Sequence, residues 1–193
     1  TQSITVGGTG NTAISKVIAT TTGALAKDGA GTLTLSGANT YTGSTNINAG
    51  TLIAANANAL GTAAGTATVE SGATLNVNNV TLAESAITIN GTGVANAGAI
   101  TGTGLATVSG AVTTASDINV GTPSAASTLT VGGVFTAANN LGIVGAGDIV
   151  AINAASNFST VNINGAKNVS LRDSNGIILG NGVSSLTGNL SLQ

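Results

Sequence analysis

Residues 27–77 read KDGAGTLTLSGANTYTGSTNINAGTLIAANANALGTAAGTATVESGATLNV, in which short segments of alternating apolar and polar residues are separated by turns. In the TLTL segment at residues 32–35, the leucines lie on one face of a strand and the threonines on the other, because successive side chains alternate. One face is therefore buried and the other faces water. Gly43 and Gly50 allow the chain to turn a corner after only a few residues. This pattern is typical of a β-helix.

The same alternation recurs along most of the chain as pairs of apolar residues two positions apart. These pairs are Ile4/Val6, Leu33/Leu35, Leu75/Val77, Ile87/Ile89, Ile118/Val120, Leu129/Val131, Val161/Ile163, Val169/Leu171, Ile177/Leu179 and Leu190/Leu192. The turn-forming dipeptides between them include Gly7-Gly8, Asn90-Gly91, Gly132-Gly133, Asn164-Gly165, Asn175-Gly176 and Asn181-Gly182. With about 20 to 25 residues and a rise of about 4.8 Å per coil, the chain makes about eight or nine rungs, a rod roughly 40 Å long.

We therefore predict an all-β fold, a right-handed parallel β-helix (β-solenoid) that forms a single domain over residues 1–193 with almost no helix. Two alternatives remain open. Asn-Gly dipeptides also favour antiparallel hairpins, although the strands are short and the buried faces lack the aromatic anchors expected between two packed sheets. Thr12 is also a candidate cap for a short helix in which Ile14, Val17 and Ile18 share a face.

The composition favours many thin layers over one wide core. The 193 residues have a mass of only 18.1 kDa and include two Phe, one Tyr and no Trp or Met. Wide cores usually draw on such large side chains. Charged residues make up only 5% of the chain, but the hydrophobic fraction of 42% and the β-branched segments indicate that the chain is ordered.

Charge and hydropathy argue against two kinds of partner. The net charge is −2 and the only cations are Lys16, Lys27, Lys167 and Arg172, so no basic patch can neutralise several phosphates of a nucleic acid. No run of eighteen apolar residues occurs, so we predict that no helix spans a membrane. The absence of cysteine is compatible with an exported repeat protein and equally with a cytosolic protein.

The segment GTLTLSGANTYTG at residues 31–43, followed by GTL at 50–52, resembles the autotransporter-associated β-strand repeat. The hallmark of that repeat is GTLxLSGxNTYTG with a further GTL a few residues later. NALG at 58–61 and SGATLNV at 71–77 are similar to what commonly follows it. We therefore assign residues 27–77 to this repeat, which covers about a quarter of the chain.

Residues 157–193 resemble the repeats of large filamentous haemagglutinin-like exoproteins more loosely, through the NVSLRD and GNL elements. The two resemblances together imply a right-handed parallel β-helical stalk on a bacterial surface protein that is exported through an outer-membrane barrel. They imply no catalytic residues.

The chain has no His and no Cys, so an enzymatic interpretation must use its six carboxylates. Asp117, Asp148 and Asp173 lie about one coil apart and could stack on one face, as the carboxylates of polysaccharide-cleaving enzymes do. Such enzymes usually also need cationic and aromatic groups to hold a sugar, which this chain scarcely offers. Solvated turn carboxylates are the commoner explanation. We therefore predict no enzyme, no catalytic residue, no cofactor site and no metal site.

Three further patterns have an ordinary structural explanation as well as a functional one. The sequence GAGD at residues 145–148 is only a fragment of the GGxGxD repeat that binds calcium in β-rolls. Threonine pairs spaced two apart are found on ice-binding surfaces, but outward threonine is common on any half-buried strand. Five Asn-x-Ser/Thr sequons occur, and we expect their asparagines to form stacked ladders between coils rather than to be glycosylated.

We expect a non-catalytic structural stalk or an adhesive passenger segment of a secreted bacterial protein, located outside the cell on the bacterial outer surface. The alternative is a self-assembling subunit of an extracellular β-helical filament, since the end coils of a solenoid expose unpaired backbone groups. The expected partner is either a second copy of the chain, stacked head to tail, or the surface of a host or neighbouring cell.

Overall fold

The computed structural model describes residues 2–84, 86–183 and 186–193, and these form an all-β parallel solenoid of about nine turns. Every strand pairing among the described residues is parallel. The predicted fold class is therefore confirmed, and the alternative prediction of antiparallel hairpins is wrong. A parallel ladder needs a return path between strands, and here each coil supplies it by winding once round the interior.

Each coil has three sides, and the strands of a side stack in register. Side one contains β1 (Ile4–Val6), β3 (Leu25–Lys27), β5 (Thr45–Ile47), β7 (Thr66–Val69) and β10 (Ala86–Gly91). Side two contains β2 (Thr12–Ile14), β4 (Thr32–Leu35), β6 (Gly50–Ala54), β8 (Ala73–Asn78) and β11 (Ile100–Thr103). Side three contains β9 (Thr81–Leu82), β12 (Leu105–Val108), β14 (Thr128–Val131), β16 (Asp148–Ala151), β18 (Val169–Leu171) and β20 (Leu190–Leu192).

In later coils one long strand runs round the corner from side one to side two. These strands are β13 (Ala111–Thr122), β15 (Phe135–Gly145) and β17 (Asn157–Ile163), and β19 (Leu179–Val183) stacks on the second half of β17. Because β13 pairs with both β10 and β11, sides one and two form one 14-stranded sheet, while side three is a separate six-stranded sheet.

The coil length follows from residues that pair across successive coils. On side one these are Ile4, Leu25, Thr45, Ala67, Ile87, Val112 and Phe135. Successive members are 20 to 25 residues apart, as the sequence pattern predicted. The longest interval, from Ile87 to Val112, includes a 3₁₀ turn at Val94–Asn96 between β10 and β11.

The interior consists of small aliphatic layers, and the predicted alternation decides which side chains enter it. Leu33 and Leu35 are fully buried, while Thr32 and Thr34 beside them are half-buried on the outer surface. Ile87 and Ile89 are likewise fully buried. Stacking the same kind of residue on successive coils makes the core continuous along the axis, so each coil is stabilised by its neighbours.

All three aromatic side chains are buried in the interior, which the alternating strand pattern did not predict. Phe135 and Phe158 lie on coils seven and eight, with ring centroids 5.3 Å apart and planes at 85°, an edge-to-face contact. Such pairs stabilise a fold beyond their buried area. Tyr41 is the largest fully buried side chain of the earlier coils.

Two local predictions also need correction. Thr12 caps no helix, because Thr12–Ile14 is strand β2 and pairs in parallel with β4. Of the predicted apolar pair Ile177/Leu179, Ile177 lies before β19, and Leu179 is 41% exposed. Leu179 pairs with buried Val161 but has no further described coil stacked on its other side, so its burial is incomplete.

Side three begins without strands. In the first three coils this side is built by irregular chain that is still joined from coil to coil by backbone hydrogen bonds. Ser36 N donates to Ile14 O at 3.1 Å, Thr40 N to Ile18 O at 3.0 Å, and Thr62 N to Tyr41 O at 2.9 Å. This irregular wall contains the NTY part of the GANTYTG motif.

Candidate functional site

Asn39 lies on the irregular wall of the second coil and is buried there. Its side-chain Oδ1 accepts a hydrogen bond from Ile18 N at 2.8 Å, and its Nδ2 donates to Ala59 O at 2.6 Å. Ile18 belongs to the preceding coil and Ala59 to the following one. One amide side chain therefore joins three coils at a place where no strand ladder can do so, which explains why the motif has asparagine at this position.

Tyr41 points into the interior two residues later. Its hydroxyl lies 2.6 Å from Thr45 Oγ1, and Thr45 Oγ1 in turn donates to Leu60 O at 3.0 Å. Burial raises the pKa of the Tyr41 phenol, because the phenolate would lose its hydration. Tyrosine therefore supplies a large apolar ring to a core of small residues while its hydroxyl stays paired.

We expect Tyr41→Phe to lower the free energy of unfolding by about 0.5 to 1.5 kcal/mol, because it removes one buried hydrogen bond and keeps the ring. Thr45 retains its bond to Leu60. Urea unfolding followed by circular dichroism measures the difference. Thr40→Val is the matched control, since it removes an exposed hydroxyl from the same segment. Equal losses in the two variants would contradict the role given to the Tyr41 hydroxyl.

Lys27 is also buried, at the corner between sides one and two. Its Nζ donates to Gly29 O at 2.7 Å and to Asp28 O and Ala49 O, both at 3.1 Å. Burial lowers the pKa of the Lys27 ammonium, and the charge of Asp28 partly opposes this. The ammonium thus satisfies three corner carbonyls on two successive coils.

Glu84 follows β9 and is only 2% exposed. Its Oε2 is buried without a hydrogen-bond partner. Burial raises the pKa of the Glu84 carboxyl to about 7, since ionisation would place a charge in an apolar interior. The charge of Glu84 also contributes to the raised pKa of Tyr41. Glu84 is therefore the carboxyl of this interior whose ionisation changes near neutral pH.

Three aspartates pair with an asparagine one coil further on. Asn48 Nδ2 donates to Asp28 Oδ1 at 2.7 Å. Asn140 donates to Asp117 through its backbone N (3.0 Å) and its side-chain Nδ2 (3.1 Å). Hydrogen bonds from the Asn140 backbone and side chain lower the pKa of Asp117. These carboxylates therefore link successive coils through hydrogen bonds.

The third pair, Asp148 and Asn168, extends into a short column. Asn168 donates to Asp148 Oδ1 through its backbone N at 3.1 Å and its Nδ2 at 2.8 Å. Asn168 Oδ1 then accepts from Asn189 N at 2.8 Å. The predicted ladder of asparagines between coils is present here in mixed form, with an aspartate at one end.

The three aspartates of the enzymatic interpretation do not share a face. Asp117 lies inside the corner-crossing strand β13, Asp148 is the first residue of β16 on side three, and Asp173 follows β18. Asp173 Oδ1 accepts from Asn175 N at 3.1 Å, within its own turn. The structure therefore does not assemble these carboxylates into the pair that sugar cleavage requires.

The candidate calcium-binding fragment and the threonine pairs of the candidate ice-binding surface do not form a site either. Asp148 of the GAGD fragment is already bonded to Asn168, and no group of three or more His, Cys, Asp or Glu suited to a metal ion occurs among the described residues. The threonine pairs divide between sides: Thr66/Thr68 lie on side one, Thr101/Thr103 on side two and Thr128/Thr130 on side three. They form no single ladder.

Together these features define a parallel β-solenoid whose inward polar residues join its coils. Residues 25–54, which span β3 to β6, match the family model of the passenger-associated-transport-repeat. This stretch is therefore an autotransporter passenger repeat, as its motif predicted, and it indicates an autotransporter passenger domain. Such a repeat implies a secreted, surface-exposed protein.

No curated protein and no solved structure matches the chain. The haemagglutinin-like assignment of residues 157–193 stays a prediction, although these residues continue the same coils. The single-domain assignment stays a prediction as well. Over the part of the chain that the structure describes, no helix has the length and apolar character needed to cross a membrane.

The sequence pattern missed the buried polar residues Lys27, Asn39, Thr45 and Glu84. Strand alternation contained a signal for Lys27 and Thr45, since they take the positions of inward residues in β3 and β5. Lys27 pairs with Val6 on one coil and Ile47 on the next, which are apolar. Asn39 and Glu84 lie outside strands, where no period tells an inward from an outward side chain.

Proposed function

We propose that this chain is a non-catalytic stalk or adhesive passenger segment of a bacterial autotransporter. The observation that supports this most directly is the continuous register on side one, in which each coil from Ile4 to Phe135 pairs with the next. Such a ladder joins each coil to the next by backbone hydrogen bonds, so the rod holds whatever it carries at a defined distance. About nine coils at about 4.8 Å extend roughly 40 Å from end to end.

Polar side chains that join neighbouring coils support a structural role. Asn39 spans three coils, and Asp28, Asp117 and Asp148 each bond to the next coil. These side-chain hydrogen bonds add to the backbone ladder, and Asn39 supplies one of them on the irregular wall. A protease needs an extended, unpaired segment, and a chain bonded to both neighbouring coils offers few of these.

The alternative is a filament subunit, in which the end coils of successive copies stack head to tail. β1 and β2 are the two ends of the main strand order, and each pairs with only one neighbour. The inward residues of that first coil, Ile4, Val6 and Ile14, are only partly buried. An edge of this kind is a template for another coil.

Sedimentation over a wide range of concentration, with limited proteolysis, tests the two functions. We expect a persistent, protease-resistant monomer, because a stalk needs no self-association. Concentration-dependent fibres with an axial repeat of about 4.8 Å would instead support the filament. Val6→Lys is the diagnostic variant: a lysine on the open edge of the first coil should abolish fibres, whereas a stalk should stay monomeric and lose only stability, which its melting temperature measures.

A further inference from the structure

The outer surface of side two carries an open groove of about 600 Å³ between two corner loops. Its floor follows one column of residues in register, Ile53, Asn76, Thr101, Gly121 and Val144, of which all but Gly121 line the groove. Each of these residues lies one coil beyond the previous one, so the groove runs parallel to the solenoid axis. Five coils at about 4.8 Å make it about 20 Å long.

One wall is the Val94 loop, residues 92–98, which leaves the coil at the corner before β11. Val94, Ala95 and Ala97 of this loop line the groove. The opposite wall is formed by Pro123, in the loop after β13, and by Ala146, in the turn after β15. The extra residues of the longest coil therefore build a wall on an otherwise flat face.

The Val94 loop is held in an unfavourable backbone conformation. Ala95 and Asn96 have φ angles of 52° and 61°, in the left-handed region that non-glycine residues rarely adopt. The buried Thr74 hydroxyl fixes the loop by donating to Gly98 O and accepting from Val94 N, both at 2.9 Å. Asn119 Nδ2 donates to Asn96 O at 3.1 Å. Such strain persists only where the surroundings impose the conformation.

The chemistry of the lining is uncharged and largely apolar. Among the described residues, no Asp, Glu, Lys or Arg and no aromatic residue lines the groove. Several of its polar groups are bonded within the protein: Asn76 Nδ2 donates to Thr101 Oγ1 at 2.8 Å and Thr103 Oγ1 at 3.0 Å. Thr122 Oγ1 accepts from Gly147 N at 2.8 Å. The groove therefore presents methyl groups more than free hydrogen-bonding groups.

This chemistry selects among ligand classes. A sugar or a peptide placed on this floor would lose hydration at hydroxyl or amide groups without gaining enough partners, because the backbone below is bonded from coil to coil. A charged group would meet no counter-charge. An aliphatic chain gives up no hydrogen bond to water when it enters the groove. The groove volume of about 600 Å³ is within the usual range for small-molecule sites.

We propose that this groove binds the aliphatic chain of a neutral, single-chain amphiphile, such as a fatty alcohol or a monoacylglycerol. The chain lies along the solenoid axis on the column from Ile53 to Val144. Its uncharged head group remains in water at one end. This binding goes beyond the stalk function and does not depend on it.

The test is binding of a neutral fluorescent alkyl probe to the full chain, displaced by unlabelled fatty alcohols below their aggregation concentrations. We expect saturable binding whose affinity rises about fourfold for each added methylene, the fold-change that corresponds to about 0.8 kcal/mol. The rise should stop once the alcohol is longer than the groove. Affinity that is independent of chain length would overturn the proposal.

Two variants locate the site. Val144→Asp places a charge on the groove floor and should weaken binding at least tenfold, while Ala146→Trp, at an exposed position, should fill the groove and abolish binding. Val150→Asp is the matched control, because Val150 is a half-buried outward valine of the same coil on side three. Val150→Asp should bind the probe as the unchanged protein does, and melting temperatures check that each variant is folded.

Three results count against this assignment. Equal binding by Val144→Asp and Val150→Asp would place the probe elsewhere, and undiminished binding by Ala146→Trp would do so even if Val144→Asp failed to fold. Self-association in sedimentation equilibrium that Val144→Asp abolishes would show that the groove is covered by a second copy instead. Saturable binding of a neutral oligosaccharide that displaces the probe would replace the lipid class with a sugar.

Discussion

Leu35→Asp should lower the free energy of unfolding by about 5 kcal/mol or more, enough to prevent folding of a protein of ordinary stability. Leu35 is fully buried and stacks between Ile14 and Ala54 on the coils below and above. Burying a leucine contributes about 1.5 to 3 kcal/mol, and an unpaired buried carboxylate costs several more. Ile89→Asp should have the same effect, because Ile89 is fully buried between Val69 and Thr114.

Thr34→Asp is the matched control, since it adds the same charge one residue earlier in the same strand but on the outer surface. We expect a loss of less than about 1 kcal/mol there. Thermal and urea unfolding of the three variants give the comparison. A melting temperature of Leu35→Asp close to that of Thr34→Asp would mean that the inward and outward assignments are wrong.

The second large effect is a loss of stability as the pH rises. The pKa of Glu84 is about 7 in the folded chain and near 4.5 when the side chain is free in water. Because the folded state favours the protonated form, Glu84 imposes no penalty below about pH 4.5, and its penalty grows between pH 4.5 and 7. The full difference, about 3 kcal/mol, is reached above pH 7.

Urea unfolding at several pH values across this interval measures that change, and Glu84→Gln isolates it. The glutamine variant cannot ionise, so it should lose this pH dependence and be more stable than the unchanged protein above pH 7. Glu70→Gln is the control, because Glu70 is exposed. If Glu84→Gln and Glu70→Gln have the same pH profile, then Glu84 ionises without penalty and its burial has been misassigned.

The regular part of this fold could be predicted from sequence because alternation is a local property. Whether Leu33 and Leu35 face inward depends on their own spacing and on one buried face, and that information lies within four residues. The coil length could be bounded for the same reason, since turn residues recur between the alternating segments. Parallel stacking was favoured over hairpins by short strands, and the structure bears this out.

The inward polar residues could not be predicted in this way because their partners are distant in sequence. Asn39 bonds to Ile18 and Ala59, 21 and 20 residues away, so its role exists only once the coils are stacked in register. Tyr41 is a core residue, although it lies outside the alternating strands from which inward positions could be predicted. The groove on side two likewise depends on a loop whose position relative to Pro123 and Val144 is set by the register of five coils.

The longest coil shows that a coil of this solenoid can contain additional residues without changing the distance between neighbouring coils. Between Ile87 and Val112 the chain takes 25 residues instead of the 20 found between Ala67 and Ile87, yet both pairs remain in register. The surplus forms the Val94 loop, and the register of β10 with β13 shifts only between Ile89 and Gly91. The corner before Ile100 therefore accepts inserted residues. A foreign peptide inserted there would project sideways from the rod, while the length and the ends of the rod stay the same.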